Sequence, residues 1–288
     1  GGIDTYYSPF VRVEHGEIRR KDARDIHPDN NRNIHLIPQL IASCPNKLEQ
    51  IMSLLTKYNY QEADINLGCP FPMLAKRHNG AGMLPYPEEV KDLLTAAIEQ
   101  YPQIRFSVKL RLGWENASEC IALLPLLNAL PLAHIILHPR LGKQQYKGEV
   151  DLNGFEAFYH GCDKPLLYNG DLHTIEDIQT VAERFPRLAG VVIGRGLLAN
   201  PALAWEYQQN RKLSPDEMLS KVKQLHTAIY NSYEEQLQGG ETQLLMKMKN
   251  FWEYLLPNGN RKAKKTIHKT SKLTNYRIAV NDLLSSYQ

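Results

Sequence analysis

Cys69 sits between Gly68 and Pro70, where the apolar run of "ADINLGCP" ends. A cysteine that only fills a core has no need of that setting, whereas a reactive thiol at the end of a strand does. An unperturbed thiol has a pKa of about 8.5, so near neutral pH it is mostly protonated and can act as a general acid. By residue type alone, a free cysteine is more often a small buried hydrophobe. The Gly-Cys-Pro context argues against that role here. Cys44, Cys120 and Cys162 lack such a context and are read as structural. The four cysteines form no CxxC pair, and no histidine pattern accompanies Cys69, so neither a metal site nor a redox dithiol is expected.

Other residues with chemical potential fall at the ends of apolar runs. Gln39 and Asn66 close two of them. Lys109 lies in "SVKLRLG", otherwise apolar at alternate positions, where a solvated lysine is the plain reading and an anion-facing one the functional reading. His138 and Arg140 stand in "IILHPRLG", with Gln144 and Tyr146 close behind, which makes a polar binding loop. A lone histidine after a strand is more often structural than catalytic. "LLYNGDL" ends in Asn169-Gly170-Asp171, and "VVIGRGLL" in Gly194-Arg195-Gly196. Glycine lets a backbone come close to a ligand, and its exposed amides can hold phosphate oxygens. Arg195 would add a charged, forked donor. Tight turns alone would also explain these glycines.

These positions need elements to carry them. Strands are expected at 5–13, 35–42, 63–68, 106–111, 134–138, 166–169 and 191–194. Helices are expected between most of them, at 46–58, 87–101, 117–130, 152–160 and 174–185. The alternation implies a parallel sheet flanked by helices. Six strands with polar or reactive ends favour a (β/α)8 TIM barrel, whose active site lies on the face of the strand ends. A doubly wound sheet would gather its functional residues at one switch point. Only seven strands are found, so the first strand of the barrel is expected to precede Gly1 in the natural protein. From Ser214 the pattern becomes wholly helical, with helices at 215–237, 242–255, 261–272 and 275–284. Ser214 reads as an N-cap, followed by Pro215 at the first helical position and two acids. The expected division is a catalytic barrel over 1–210 and an all-α domain over 211–288.

With 288 residues, 43% of them hydrophobic, the chain can bury a large core. No apolar run is long enough to span a membrane. Scattered cysteines and no export signal point to the cytoplasm. Net charge is only +3, but it is unevenly spread. Lys247, Lys249, Arg261, Lys262, Lys264, Lys265, Lys269, Lys272 and Arg277 are opposed over 242–281 by Glu253 alone, so the rest of the chain is net acidic. Such asymmetry indicates a polyanionic partner. A solvated helix surface is the alternative, disfavoured by the near absence of acids.

Taken together, "DINLGCP", "NGAGML", "SVKLRLGW", "HPRLGKQQYKG", "NGD" and "GVVIGRG" resemble the tRNA-dihydrouridine synthases, in order and over nearly the whole chain. "SPFVRV" and "VKLRLGW" look most like the C-type bacterial branch, which acts near position 16 of the tRNA D-loop. The resemblance implies an FMN-bound barrel with a tRNA-binding helical domain. It also implies reduction of a uridine to 5,6-dihydrouridine, with NADPH reducing the flavin, hydride passing to C6, and a cysteine protonating C5. By motif, Cys69 is the proton donor. Gln39, Asn66, Lys109 and His138 would contact the flavin ring, and Asn169, Gly170, Asp171, Gly194 and Arg195 its ribityl and phosphate end. Arg140, Gln144 and Tyr146 would lie near the uridine. Lys247, Lys249, Arg261, Lys262, Lys264 and Lys265 would meet the tRNA backbone. No obligate protein partner is implied. The family's opening "APM"-type strand is not found, which fits the missing first strand. A dihydroorotate-dehydrogenase-like enzyme acting on a free pyrimidine is the alternative. A non-catalytic RNA-binding barrel is a third reading, disfavoured by the joint presence of Cys69, Lys109 and Arg195.

Overall fold

In a computed structural model the described residues are 1–287, and they divide into two units. The first unit holds Ile3–Asp171 and Gln179–Val192. It opens with β1 (Tyr6–Tyr7), a small antiparallel hairpin β2 (Val13–Glu14) and β3 (Glu17–Ile18), and a short helix α1 (Arg20–Asp25). Then come β4 (Leu36–Ile37), β5 (Gln39–Leu40), α2 (Pro45–Lys57), β6 (Glu62–Leu67), α3 (Pro72–Ala75), α4 (Pro87–Gln100) and β7 (Arg105–Gly113). After them follow α5 (Ser118–Ala122), α6 (Leu124–Ala129), β8 (Ile135–Leu141), α7 (Leu152–Gly161), β9 (Leu166–Tyr168), α8 (Ile175–Arg184) and β10 (Gly190–Val191).

β5 to β10 form one parallel sheet in sequential order, and β1 pairs in parallel with β4. Pro38, which cannot donate to a ladder, separates β4 from β5. A parallel bridge from Val11 to Leu40 extends the contact of the first strand. Seven parallel positions thus follow one another in chain order, as in a (β/α)8 barrel. The expected strand at 5–13 is shorter than its apolar pattern, because the chain leaves it at Pro9 and turns into the hairpin. The single helix expected at 117–130 is two, since Pro125 at the start of α6 has no N–H to continue the ladder.

Strand parity sorts side chains to the two faces. On β6, Ala63, Ile65 and Leu67 are buried, and they alternate with Asp64 and Asn66. On β7, Phe106, Val108, Leu110 and Leu112 alternate with Ser107, Lys109 and Arg111. The apolar set meets the helices, where Leu48, Ile51, Met52 and Leu55 of α2 and Val90, Leu93, Leu94 and Ala97 of α4 are buried. The polar set lies together on the other face. The register pairs Gln39 with Asp64, Asp64 with Ser107, Asn66 with Lys109 and Arg111 with His138.

The second unit holds Gly1–Gly2, Leu172–Ile178 and Ile193–Gln288. Its helices are α9 (Arg195–Ala199), α10 (Leu203–Gln209), α11 (Pro215–Gln236), α12 (Gly240–Phe251), α13 (Arg261–Lys269) and α14 (Leu273–Ser285). Ser214 caps α11 ahead of Pro215, as the sequence predicts, and with Glu217 it completes a capping box. The helix expected at 261–272 stops at Lys269, because Thr270 turns to an extended backbone. Trp252, Tyr276, Met248, Ile267 and Leu283 are fully buried in this unit. Trp252 Nε1 donates to Tyr276 Oη at 2.8 Å, so the buried indole N–H is satisfied.

Candidate active site

Cys69 follows the C-terminal end of β6 and is half-buried. Its backbone is held from two sides. Asn66 Oδ1 accepts the N–H groups of Gly68 at 2.9 Å and Cys69 at 2.8 Å. The Cys69 carbonyl accepts Ala81 N–H at 3.0 Å. The 3-10 turn Gly80–Met83 is pressed onto the cysteine. Gly80 has φ +59°, and a Cβ there would lie 2.8 Å from Cys69 Cβ. A Cβ at Gly82 would lie 2.3 Å from the Ala75 carbonyl oxygen. The "GAG" element therefore exists for close approach, and the thiol cannot be displaced toward it. Burial pushes the Cys69 thiol up, while Arg111, Arg12 and Lys109 pull it down. It stays a protonated thiol at neutral pH, the form a proton donor requires. Burial raises the thiols of Cys120, to about 12, and Cys162, and both are enclosed.

Below the cysteine runs a chain of polar groups. Asn66 Nδ2 donates to Gln39 Oε1 at 2.6 Å, and Gln39 Nε2 donates to Asp64 Oδ2 at 2.7 Å. Ser107 Oγ donates to Asp64 Oδ1 at 2.7 Å. Asp64 is fully enclosed, and desolvation raises its carboxyl to about 6 despite those hydrogen bonds. Lys109, on the next strand, is half-buried by surface area but walled in by the sheet. Burial lowers its ammonium to about 8, with Asp64 opposing the shift. Lys109 makes no hydrogen bond or ion pair with any described residue.

A second cluster sits on β8. Arg140 is buried, and its guanidinium donates to both Asp171 oxygens, to the Gly148 carbonyl at 2.7 Å and to His138 Nε2 at 3.2 Å. Its donation to Nε2 places the imidazole proton on Nδ1. Arg140 is thus a brace inside the site, with little donor capacity left for a substrate. Asp171, at φ +45°, is its carboxylate partner. Gln144 Oε1 accepts Leu141 N–H at 2.7 Å and closes the loop on itself. Tyr146 is 57% exposed, its ring 6.4 Å from that of His138. Asn169 Nδ2 donates to the Val192 carbonyl at 2.7 Å, and Gly170 is buried against Val150, Tyr168 and Pro139. Cys69, Gln39, Asn66, Lys109, His138, Arg140, Gln144, Tyr146, Asn169, Gly170 and Asp171 all belong to the barrel unit.

Gly194 and Arg195 belong to the helical unit, as do all six basic candidates. A side chain at Gly194 would meet nothing within 4 Å. Arg261, Lys262 and Lys265 are exposed on α13, opposite buried Ala263 and Ile267, and Lys247, Lys249 and Lys264 are half-buried. None of the six forms an ion pair with a described residue.

Four residues acquire a role that the sequence reading did not give them. Asp64 and Ser107 anchor the polar chain, and the alternation within "ADIN" and "FSVKLR" is the signal that would have placed them beside Asn66 and Lys109. Arg111 is buried, and it donates to the Gly68 carbonyl at 3.0 Å and to the Leu141 and Gln145 carbonyls at 3.0 and 2.6 Å. It ties the Cys69 turn to the 141–146 loop. Arg12, from the first strand region, acts electrostatically on Cys69, and its buried Nε has no hydrogen-bond partner among the described residues. No group of His, Cys, Asp and Glu among the described residues is arranged to hold a metal. No described helix is long and apolar enough to cross a membrane.

The family model of dihydrouridine synthase (Dus) matches residues 2–288. Among curated proteins, the chain is 26% identical over 207 residues to tRNA-dihydrouridine synthase B of Vibrio cholerae, covering 69% of this chain and 64% of that protein. It is 26% identical over 225 residues to tRNA-dihydrouridine(16) synthase of Haemophilus ducreyi, covering 75% and 69%. With tRNA-dihydrouridine synthase B of Pasteurella multocida the match covers 57% of this chain and 49% of that protein, at 26% identity. The matched stretch is thus less than two thirds of the Vibrio and Pasteurella proteins.

Proposed function

The chain belongs to the dihydrouridine synthase family, and on that premise we propose that it reduces a D-loop uridine of tRNA to 5,6-dihydrouridine with FMN and NADPH, working in the cytoplasm. The observation that carries this reading is Cys69. It is a protonated, half-buried thiol at a strand end, fixed by the Gly68 and Cys69 N–H groups donated to Asn66 Oδ1 and by Gly80. That geometry suits delivery of one proton from a set direction.

The residues of the barrel unit fit a flavin. Among the described residues Lys109 makes no hydrogen bond or ion pair, though Asp64 acts on it electrostatically, and the buried Arg12 Nε has no hydrogen-bond partner. Both invite an anionic or acceptor-rich ring. FMN, when bound, supplies the hydride for C6 of the uridine. Lys109 would stabilise negative charge on the ring's pyrimidine edge. His138 would present a neutral imidazole, its tautomer set by Arg140. Asn169, Gly170 and Asp171 of the barrel unit would hold the ribityl end. Gln39 and Asn66 would present what remains of their amides to the ring, while their bonded edges hold the Cys69 turn.

Tyr146, exposed and backed by Arg111 at 5.4 Å, would stack on the extruded uracil, with Gln144 shaping its loop. Cys69 would then donate its proton to C5. Arg140 would act on the uridine only by holding His138 and the loop. The segment 211–288, with Lys247, Lys249, Arg261, Lys262, Lys264 and Lys265, would bind the tRNA backbone. The family resemblance of "SPFVRV" and "VKLRLGW" and the Haemophilus relative's name favour the uridine near position 16. The full-length protein is expected to purify yellow with bound FMN, and Lys109→Met to lose it more readily on dialysis. A colourless protein that takes up no added FMN would sink the reading.

A further inference from the structure

We propose that Asp64 is the positioning residue for Cys69, acting through a directional chain of side-chain amides that crosses three neighbouring strands. The Asp64 carboxylate can only accept when ionised, and it accepts from Ser107 Oγ and Gln39 Nε2, both at 2.7 Å. This fixes which end of the Gln39 amide faces Asp64. Gln39 must turn Oε1 the other way, where it accepts Asn66 Nδ2 at 2.6 Å. Asn66 is thereby left with Oδ1 for the N–H groups of Gly68 and Cys69, at 2.9 and 2.8 Å. The buried carboxylate and the N–H groups of Gly68 and Cys69 thus hold the chain from its two ends. Without an acceptor at 64 the Gln39 amide is free to flip, and its Nε2 then faces Asn66 Nδ2 and drives Asn66 to flip as well. A flipped Asn66 would aim Nδ2 at two N–H groups that need an acceptor, and the turn would open.

A buried carboxylate is costly, and it needs a return that a neutral residue could not give. Here the return is orientation: the carboxylate secures at the Gln39 end the polarity that the two N–H groups require at the Asn66 end. The catalytic consequence rests on Cys69 being the proton donor; the positioning itself does not.

Two substitutions separate the idea from a general packing defect. Asp64→Ala removes the root acceptor. Asp64→Asn retains one, because its Oδ1 can face Gln39 while its Nδ2 turns to the Ser107 hydroxyl, which accepts as well as donates. On the full-length protein, iodoacetamide alkylation of Cys69 and amide hydrogen exchange at Gly68 and Cys69 are followed by mass spectrometry. Both are expected to be about tenfold faster in Asp64→Ala and within about twofold of the unsubstituted protein in Asp64→Asn. Exchange in β9 stays unchanged as the control. Gln39→Met cuts the same chain one link later with Asp64 in place; it should accelerate both reactions equally, and it decides the matter if Asp64→Ala does not fold. Unchanged Cys69 behaviour in Asp64→Ala or Gln39→Met overturns the proposal, as does Asp64→Asn behaving like Asp64→Ala. Dihydrouridine formation should follow the same order at unchanged tRNA affinity. If alkylation follows that order while the unsubstituted protein forms no dihydrouridine, the positioning role stands and the enzymatic reading fails.

Discussion

Lys109 carries the clearest electrostatic burden in the barrel. Burial brings its ammonium down from 10.5 to about 8, with Asp64 resisting. Between those two values the unfolded chain holds a proton that the folded protein has released. Stability therefore rises with pH across that window, and the penalty is present in full below about 8. The expectation is that the urea midpoint of the unsubstituted protein climbs, relative to Lys109→Met, as pH goes from the lower value to the upper. A difference that stays flat or falls would mean that Lys109 is not desolvated. If the same lysine supports reduced flavin, turnover should also fall as pH rises through its folded value. The residue types at the site were readable from the sequence at Cys69, Lys109 and His138, because each interrupts an apolar run. The commitments of Arg140 and Asp171 were not, since "HPR" and "NGD" lie about thirty residues apart and only the fold brings them to one ion pair.

At the scale of elements, the turn Gly80–Met83 is what shapes the mouth of β6. Gly80→Ala must place a Cβ at φ +59° and 2.8 Å from Cys69. It should destabilise the protein by about 1–3 kcal/mol and shift Cys69 alkylation, as measured by thermal melting and thiol labelling. An alanine variant with an unchanged melt and unchanged labelling would refute the close-packing account. The strands and outer helices were legible because hydrophobic period and turn residues agree there. α2, α4 and α7 start within one residue of their expected positions, helped by Pro45 and Pro87 at first turns and Asp151 as N-cap. The hairpin β2–β3 and the short helices α9 and α10 were missed, since two to seven residues carry too little periodicity to read. α13 was legible as basic but not as strained. Arg261 and Lys265, and Lys265 and Lys269, stand four apart with like charge, which costs such a helix a few tenths of a kcal/mol per pair. That cost is relieved when a polyanion binds.

The whole chain is nearly neutral, yet Lys247, Lys249, Arg261, Lys262, Lys264 and Lys265 gather over a stretch almost free of acids and form no ion pair with a described residue. tRNA affinity should therefore fall steeply with salt, and changing Lys262 and Lys265 together to Gln should lower the log–log slope by about 1.5. An unchanged slope would place the tRNA elsewhere. The charge asymmetry was visible in sequence because acids are so scarce over 242–281, whereas which of those cations face outward had to come from the packing of Ala263 and Ile267. The central claim is that Cys69 completes uridine reduction on a bound tRNA. Its most direct test is to incubate unmodified tRNA with the full-length protein, FMN and NADPH, and to map dihydrouridine by nucleotide. Dihydrouridine is expected at one D-loop uridine, with a loss of about 10²–10⁴-fold in rate for Cys69→Ala and flavin and tRNA binding intact. Dihydrouridine formed equally well by Cys69→Ala, or none formed by a protein that binds both flavin and tRNA, would contradict that claim.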